Sequence, residues 1–389
     1  MILRAIAPKV LELSQKMPVV SLSGPRQSGK TTLARHLFSD YEYLSFEDPD
    51  TRERFDHDPR AFLGAHDGRV IFDEAQRAPE LFSYLQAAVD DRPDYGRFVL
   101  TGSQDFLMMR GITQSLAGRV ALFKLLPLSF RELNGAGEAP QDRDQWLLQG
   151  GYPALYDRNI DPADYYGLYV NTYLERDVRA ELGVRKLAQF SVFLQLCALR
   201  TGQQLNKTDL ATDAGVSVGT VGEWLSLLEA SGILFQLQPW TRSRGKRLTK
   251  RPKLYFCDAG LAAHLAGVDS LEGLEASGLR GHLFETAVIS DLRKAEYARG
   301  RRPEMSFWRD AKGNEIDLVV EKGLRAIAAI EIKSGTTFRQ KYFQPLERQA
   351  VGQLGLSPAG CAVVNGGAET SLSDQGSWVS YRDLEMLEL

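Results

Sequence analysis

The chain has 389 residues, of which 25% are charged and 43% hydrophobic, and its formal net charge is -3. At roughly 150 residues per domain this length predicts two or three domains with buried cores, and it excludes a fibre or a disulfide-stapled mini-protein. No run approaches the roughly 18 apolar residues that span a bilayer, so no membrane association is expected, and the charge balance leaves any attraction to a polyanion to local clusters.

The first residues, Met1 to Pro8, lack a basic segment leading into an apolar stretch. Cys197, Cys257 and Cys361 are odd in number and far apart, which offers neither a disulfide framework nor a paired metal site. The expected compartment is the reducing cytoplasm.

In chain order, the first segment alternates apolar strand-like runs with helix-length stretches: Val19-Val20-Ser21-Leu22, Val70-Ile71-Phe72 and Phe98-Val99-Leu100-Thr101. This spacing predicts crossover units and a parallel sheet. Between the first run and the helical pattern Thr32 to Phe38 stands Gly24-Pro25-Arg26-Gln27-Ser28-Gly29-Lys30-Thr31. It fits the eight-position phosphate loop in the strand-to-helix context that the motif requires. Its glycines let backbone N–H groups curl toward a phosphate, and the helix start adds partial positive charge. Residues 24 to 32 are therefore the expected contacts to ATP: Lys30 would reach the β- and γ-phosphates, Thr31 would place its hydroxyl on Mg2+, and Thr32 closes the set.

The run ending in Asp73-Glu74 supplies two carboxylates. Asp73 would hold Mg2+ and Glu74 would polarise the attacking water. Ser103 and Gln104, after the third run, read either as groups that contact the γ-phosphate or orient water, or as a common turn. Arg119 reads either as an arginine finger or as a surface arginine.

With the Thr101-Gly102-Ser103 turn, this segment resembles the AAA-type P-loop ATPases. Leu126-Pro127-Leu128-Ser129-Phe130-Arg131-Glu132-Leu133 and Lys253 to Leu261 are similar to motifs of the bacterial and archaeal AAA_14/DUF4143 family, which pairs an AAA ATPase domain with a C-terminal DUF4143 region. The resemblance covers nearly the whole chain and implies ATP and Mg2+ as ligands. A finger arginine in such proteins often acts from a neighbouring subunit, so a homo-oligomer is the assembly it implies.

Asn134 to Pro140 is rich in turn formers and marks a boundary. Three segments are expected: 1–145, a P-loop AAA-type ATPase domain; 146–265, a helical region with a winged helix-turn-helix; and 266–389, a nuclease-like domain. The overall class is α/β multidomain. In the middle segment, Thr208 to Ala214, the turn Gly215-Val216-Ser217 and a helix with Val218, Val221, Trp224, Leu225 and Leu228 on one face resemble a helix-turn-helix. Ile233 to Leu237 and Leu254 to Phe256 would be wing strands. Between them, Arg242, Arg244, Lys246, Arg247, Lys250, Arg251 and Lys253 put seven cations in thirteen residues, without a carboxylate from Thr241 to Lys253. A phosphate backbone would balance them, so nucleic acid, DNA in the first place, is the expected partner through the winged helix and this 242–253 hairpin. The alternative is an interdomain or oligomer-contact module with a solvated basic loop. The second helix offers no Arg or Lys to read a base edge, which argues against a sequence-specific repressor.

In the last segment, Glu285 lies on an amphipathic helix, Asp317 in Glu315 to Val320, and Glu331-Ile332-Lys333 on the strand after. Alternation puts Glu331 and Lys333 on one face. This order resembles the PD-(D/E)xK nuclease superfamily and its restriction-endonuclease-like α/β fold. The resemblance implies Glu285, Asp317 and Glu331 as metal ligands, and Asp317, Glu331 and Lys333 as catalytic groups acting on a phosphodiester. Ile316 stands where the motif's proline would be. Cleavage of nucleic acid and binding of a partner without cleavage, as in an ATP-driven regulatory or signalling switch, are both open outcomes of that fold.

Overall fold

The computed structural model describes residues 1–92, 94–103, 112, 115–174, 187–241, 251–323 and 325–387. They form two compact units, each discontinuous in sequence: Met1–Leu128 with Ala230–Ile233 and Lys294–Arg302, and Ser129–Glu229 with Leu234–Arg293 and Pro303–Leu389. Among the described residues no helix is long and apolar enough to cross a membrane.

The first unit is built on a five-stranded sheet, β1 (Val19–Ser23), β2 (Glu42–Ser45), β3 (Val70–Asp73), β4 (Phe98–Gly102) and β5 (Val120–Lys124), in the order β2-β3-β4-β1-β5. Every pairing is parallel, as expected from the sequence. Alternate side chains feed two cores. Val19, Phe72, Phe98 and Leu100 pack with Phe46, Phe55 and Phe62 on one face. Val20, Leu22, Ile71 and Val99 pack with Leu33 and Ala34 on the other. Burial on both faces is why these strands read as continuous apolar runs. The register pairs Ser23 with Gly102 and Ser45 with Asp73, so the turns after β1, β3 and β4 emerge at one edge of the sheet.

The second unit contains a nine-stranded mixed sheet. Its strands are β6 (Gln203–Gln204), β7 (Leu234–Pro239), β8 (Lys253–Phe256), β9 (Met305–Arg309), β10 (Glu315–Lys322), β11 (Arg325–Lys333), β12 (Cys361–Asn365), β13 (Ser371–Ser373) and β14 (Gly376–Ser380). The order is β13-β14-β12-β11-β10-β9-β7-β8-β6. β9, β10 and β11 are antiparallel neighbours, whereas β12 joins β11 and β14 in parallel. A short parallel pairing of Gln238 with Ser306 and Pro239 with Phe307 joins β7 to β9. One sheet thus draws strands from both the middle and the last of the segments expected from the sequence.

Helices Lys207–Ala214 and Val218–Ala230 flank a left-handed Gly215, and Ser217 Oγ accepts from Thr220 N at 3.1 Å, capping the second helix. Val221, Trp224, Leu225 and Leu228 are buried as the spacing predicts. Val218, expected on that face, is instead exposed, because it is the first helical residue and precedes the buried turn. Asp258 ties the second unit together: its carboxylate accepts from Gly151 N at 2.7 Å, Tyr166 Oη at 2.7 Å and Leu261 N at 3.0 Å.

Candidate functional site

β1 delivers the chain into the phosphate-loop sequence, and the helix Lys30–Leu37 starts at its end. Gly24 allows the loop to lie against the chain after β5: a Cβ there would stand 2.1 Å from Leu125 O. Gln27 and Gly29 both take left-handed backbone conformations, which produces the curl. Lys30 is buried and its Nζ donates to Gly24 O at 3.0 Å and Pro25 O at 2.8 Å. Ser28 Oγ is fully buried without a hydrogen-bond partner among the described residues, an orphaned hydroxyl that a phosphate oxygen would satisfy.

β3 brings its acids to the same edge. Thr31 Oγ1 donates to Asp73 Oδ1 at 2.9 Å, and Thr101 Oγ1, from the end of β4, donates to the same oxygen. Tyr43 Oη donates to Asp73 Oδ2 at 2.7 Å. Burial, and then the adjacent Asp73, pushes the Tyr43 hydroxyl up to about 12, so it remains a donor at neutral pH. A hydroxyl and a carboxylate held this close fit a Mg2+ that also takes phosphate oxygens. Glu74 follows in a left-handed conformation and accepts from Gln76 Nε2 and from Ser103 Oγ, the latter at 3.2 Å. Three turns thus converge on residues 30–31, 73–74 and 103; Gln104 lies outside the described residues. Tyr43, Gln76 and Thr101 were not expected from the sequence; only their places next to Asp73 and Glu74 reveal them.

Arg119 is placed elsewhere. It precedes Val120, which pairs with Val19 at the opposite end of β1 from the loop, and it makes a two-pronged ion pair with Asp90 at 2.6 and 3.0 Å. The chain does not bring its own Arg119 to the phosphate loop.

The second unit gathers Glu285, Asp317, Glu331 and Lys333 with three residues that the sequence did not single out for this place. Lys253 Nζ lies 2.9 Å from Glu285 Oε1 and 2.5 Å from Glu315 Oε1, and Tyr255 Oη donates to Glu285 at 2.5 Å. Asp317 Oδ2 accepts from Ile332 N at 2.8 Å and Lys333 Nζ at 3.2 Å, while Lys333 Nζ also lies 2.6 Å from Glu331 Oε2. Burial, then the nearby Asp317 charge, raises Glu285 to about 7 and Glu331 to about 8. Burial works against the Lys253 and Lys333 ammonium groups, but the surrounding carboxylates outweigh it and hold both above the usual lysine range.

The expected metal ligands Glu285, Asp317 and Glu331 therefore share one region, but one oxygen of each is already engaged by a lysine amine, a backbone N–H or the Tyr255 hydroxyl. Among the described residues no three His, Cys, Asp or Glu side chains are disposed to hold a metal ion. Among the oxygens of these three acids, Glu331 Oε1 is buried without a hydrogen-bond partner among the described residues.

Of the seven cations expected at a hairpin, the five from Arg242 to Lys250 lie outside the described residues, and Arg251 is exposed. Lys253 requires a correction. It begins β8, is 4% exposed and is paired with both Glu285 and Glu315, so it is not available to a phosphate backbone.

Family models match three stretches: an AAA domain over residues 16–134, a domain of unknown function (DUF8612) over 140–272 and a domain of unknown function (DUF4143) over 280–383. An uncharacterized protein of Mycobacterium tuberculosis is 34% identical over 339 residues, spanning 86% of this chain and 74% of that protein. One of Haemophilus influenzae is 26% identical over 184 residues, 43% of this chain and 46% of that protein. Among solved structures, the Walker-type ATPase of Pyrococcus abyssi aligns with a TM-score of 0.45 at 17% identity, covering 67% of this chain and 94% of that one. The RuvB Holliday junction branch migration motor of Thermotoga maritima aligns with a TM-score of 0.33 at 18% identity, covering 60% and 90%. With its phosphate loop, its Asp73-Glu74 strand end and these three matches in order, the chain belongs to the family of its mycobacterial relative, as a P-loop ATPase whose AAA domain precedes DUF8612 and DUF4143 regions.

Proposed function

We propose that the first unit binds ATP with Mg2+ and hydrolyses it, and that its nucleotide state governs nucleic-acid binding by the second. The observation that carries the hydrolytic half is the Thr31–Asp73 hydrogen bond, with Glu74 held by Gln76 and Ser103 beside it. When bound, Mg2+ would neutralise developing charge on the phosphoryl oxygens, held by Thr31 and Asp73. Lys30 exchanges its loop carbonyls for phosphate oxygens. Glu74 orients a water and draws its proton, and Ser103 fixes the Glu74 carboxylate in place. Lys30→Ala is expected to abolish ATP binding, and Glu74→Gln to keep binding while slowing hydrolysis roughly 100-fold or more. Unaltered ATP turnover in both variants would overturn the assignment.

For the second unit, the order helix Leu187–Leu199, β6, two helices, β7 and β8 supports a winged helix, and the exposed Arg251 beside β8 supports contact with a phosphate backbone. The order helix Arg280–Ala298, β9, β10, β11, helix Leu346–Leu354 and β12 supports a restriction-endonuclease-like core. A second reading, binding without cleavage, is favoured by Lys253 and Lys333, which already compensate the acids that a nuclease would need open. Plasmid incubated with divalent metal and either wild type or Asp317→Ala separates the two. Cutting by wild type alone supports a nuclease, cutting by neither supports a binding module, and equal cutting by both removes Asp317 from any such site.

A further inference from the structure

Arg4 lies outside the phosphate loop and the Asp73-Glu74 strand end in sequence, yet its side chain reaches the loop. It is half-buried, three residues before the helix Ala7–Ser14, whose Val10 is fully buried with Ile6 in the core under β1. Its Nη1 donates to Ser28 O at 2.7 Å and its Nη2 to Leu126 O at 2.6 Å. One guanidinium thus bridges the loop to the segment that follows β5, the same segment whose Leu125 O limits Gly24. We propose that Arg4 is a positioning residue for ATP binding: by fixing the Ser28 carbonyl it aims the Gly29 N–H toward the phosphates.

In a trans peptide the carbonyl oxygen of one residue and the N–H of the next point in opposite directions. Holding Ser28 O outward on Arg4 therefore turns the Gly29 N–H inward. The Ser28–Gly29 peptide can turn over, because glycine takes positive and negative φ almost equally, and here Gly29 has a φ of 92°. Turned over, it would present an oxygen to the phosphates where a donor is needed. A charge-assisted bond from a planar fork, stronger than a neutral one, selects the binding orientation. Lysine has a single ammonium and cannot span two carbonyls in the same fixed geometry.

This inference rests on the ATP reading, and the experiment keeps the two apart. Binding of ATP, ADP and adenosine is measured for wild type, Arg4→Ala, Arg4→Lys and Lys30→Ala, alongside KM, kcat and the melting temperature. With the fork removed, ATP and ADP are expected to weaken by roughly tenfold in Arg4→Ala, with adenosine unmoved and kcat at saturation within about twofold. Arg4→Lys should fall between, at an unchanged melting temperature, and it carries the test if Arg4→Ala does not fold. Wild-type affinity for ATP and ADP in both Arg4 variants would overturn the positioning role, as would a loss shared equally by adenosine. A wild type that binds neither nucleotide would overturn the ATP reading and the inference with it, whereas binding lost only in Lys30→Ala would overturn the inference alone.

Discussion

At the scale of single residues, Asp73 concentrates the demands of the nucleotide site. It accepts from Thr31, Tyr43 and Thr101, three hydroxyls delivered by the loop helix, β2 and β4. Each donor orients a carboxylate that would otherwise rotate, so the geometry is set before any ligand arrives. Thr101→Val keeps the shape of β4 and removes one donor. It is expected to leave the fold intact and to raise the Mg2+ concentration needed for half-maximal hydrolysis, which a metal titration of ATP turnover reads directly. A titration curve matching wild type would show that Thr101 does not orient the acid. Ser103 acts one step further out, on Glu74. Ser103→Ala should lower kcat by about tenfold with little change in KM, as expected when a group supports the chemical step rather than binding.

At the scale of elements, Asp258 and the acid–lysine cluster make opposite kinds of contribution. Asp258 is a buried carboxylate whose partners are all neutral donors, two of them backbone N–H groups of Gly151 and Leu261. Asp258→Ala leaves those donors buried without acceptors and should destabilise the second unit by on the order of 3 kcal/mol, checked by denaturant titration. The cluster instead makes stability depend on pH. Glu285 and Glu331 have folded values raised to about 7 and about 8. The folded state therefore holds protons that the unfolded chain releases near the ordinary carboxyl value. That contribution is complete below about pH 4.5 and is lost as pH rises through 7 to 8. The melting temperature of the second unit should fall across that window, and Glu331→Gln should flatten the fall. A melting temperature that rose with pH there would contradict the assignment.

Much of this was legible in the sequence, for physical reasons that also explain the gaps. β1, β3 and β4 are buried on both faces and read as apolar runs, so the three turns carrying the nucleotide motifs were predictable. β2 is a half-exposed edge strand of four residues, Glu42 to Ser45, without an apolar run, and was missed; β5 does carry the apolar run Val120 to Phe123, with Leu122 exposed, and was overlooked because no phosphate-binding motif follows it. Lys253 ends a cationic run in sequence, and only the fold shows it buried among acids. The partners of Asp73 were invisible because Tyr43 and Thr101 lie thirty and twenty-eight residues away and meet it only through sheet register.

At the scale of the whole molecule, a net charge of -3 offers no general attraction to nucleic acid, so the proposed binding would rest on the local basic stretch 242–251 of the sequence. Affinity for a short DNA duplex should then fall at least about tenfold between 50 and 200 mM salt, since each phosphate contact releases counterions. An affinity insensitive to salt would place the partner among proteins rather than nucleic acids. If the two units are coupled, that affinity should also differ between ATP and ADP, and Glu74→Gln should hold it at the ATP value. The most direct test of the central claim is isothermal titration calorimetry of the intact chain with ATP and Mg2+, beside Lys30→Ala. Saturable heat from the wild type and none from the variant is the predicted result; no heat from either, or the same heat from both, would contradict a phosphate loop that grips a triphosphate.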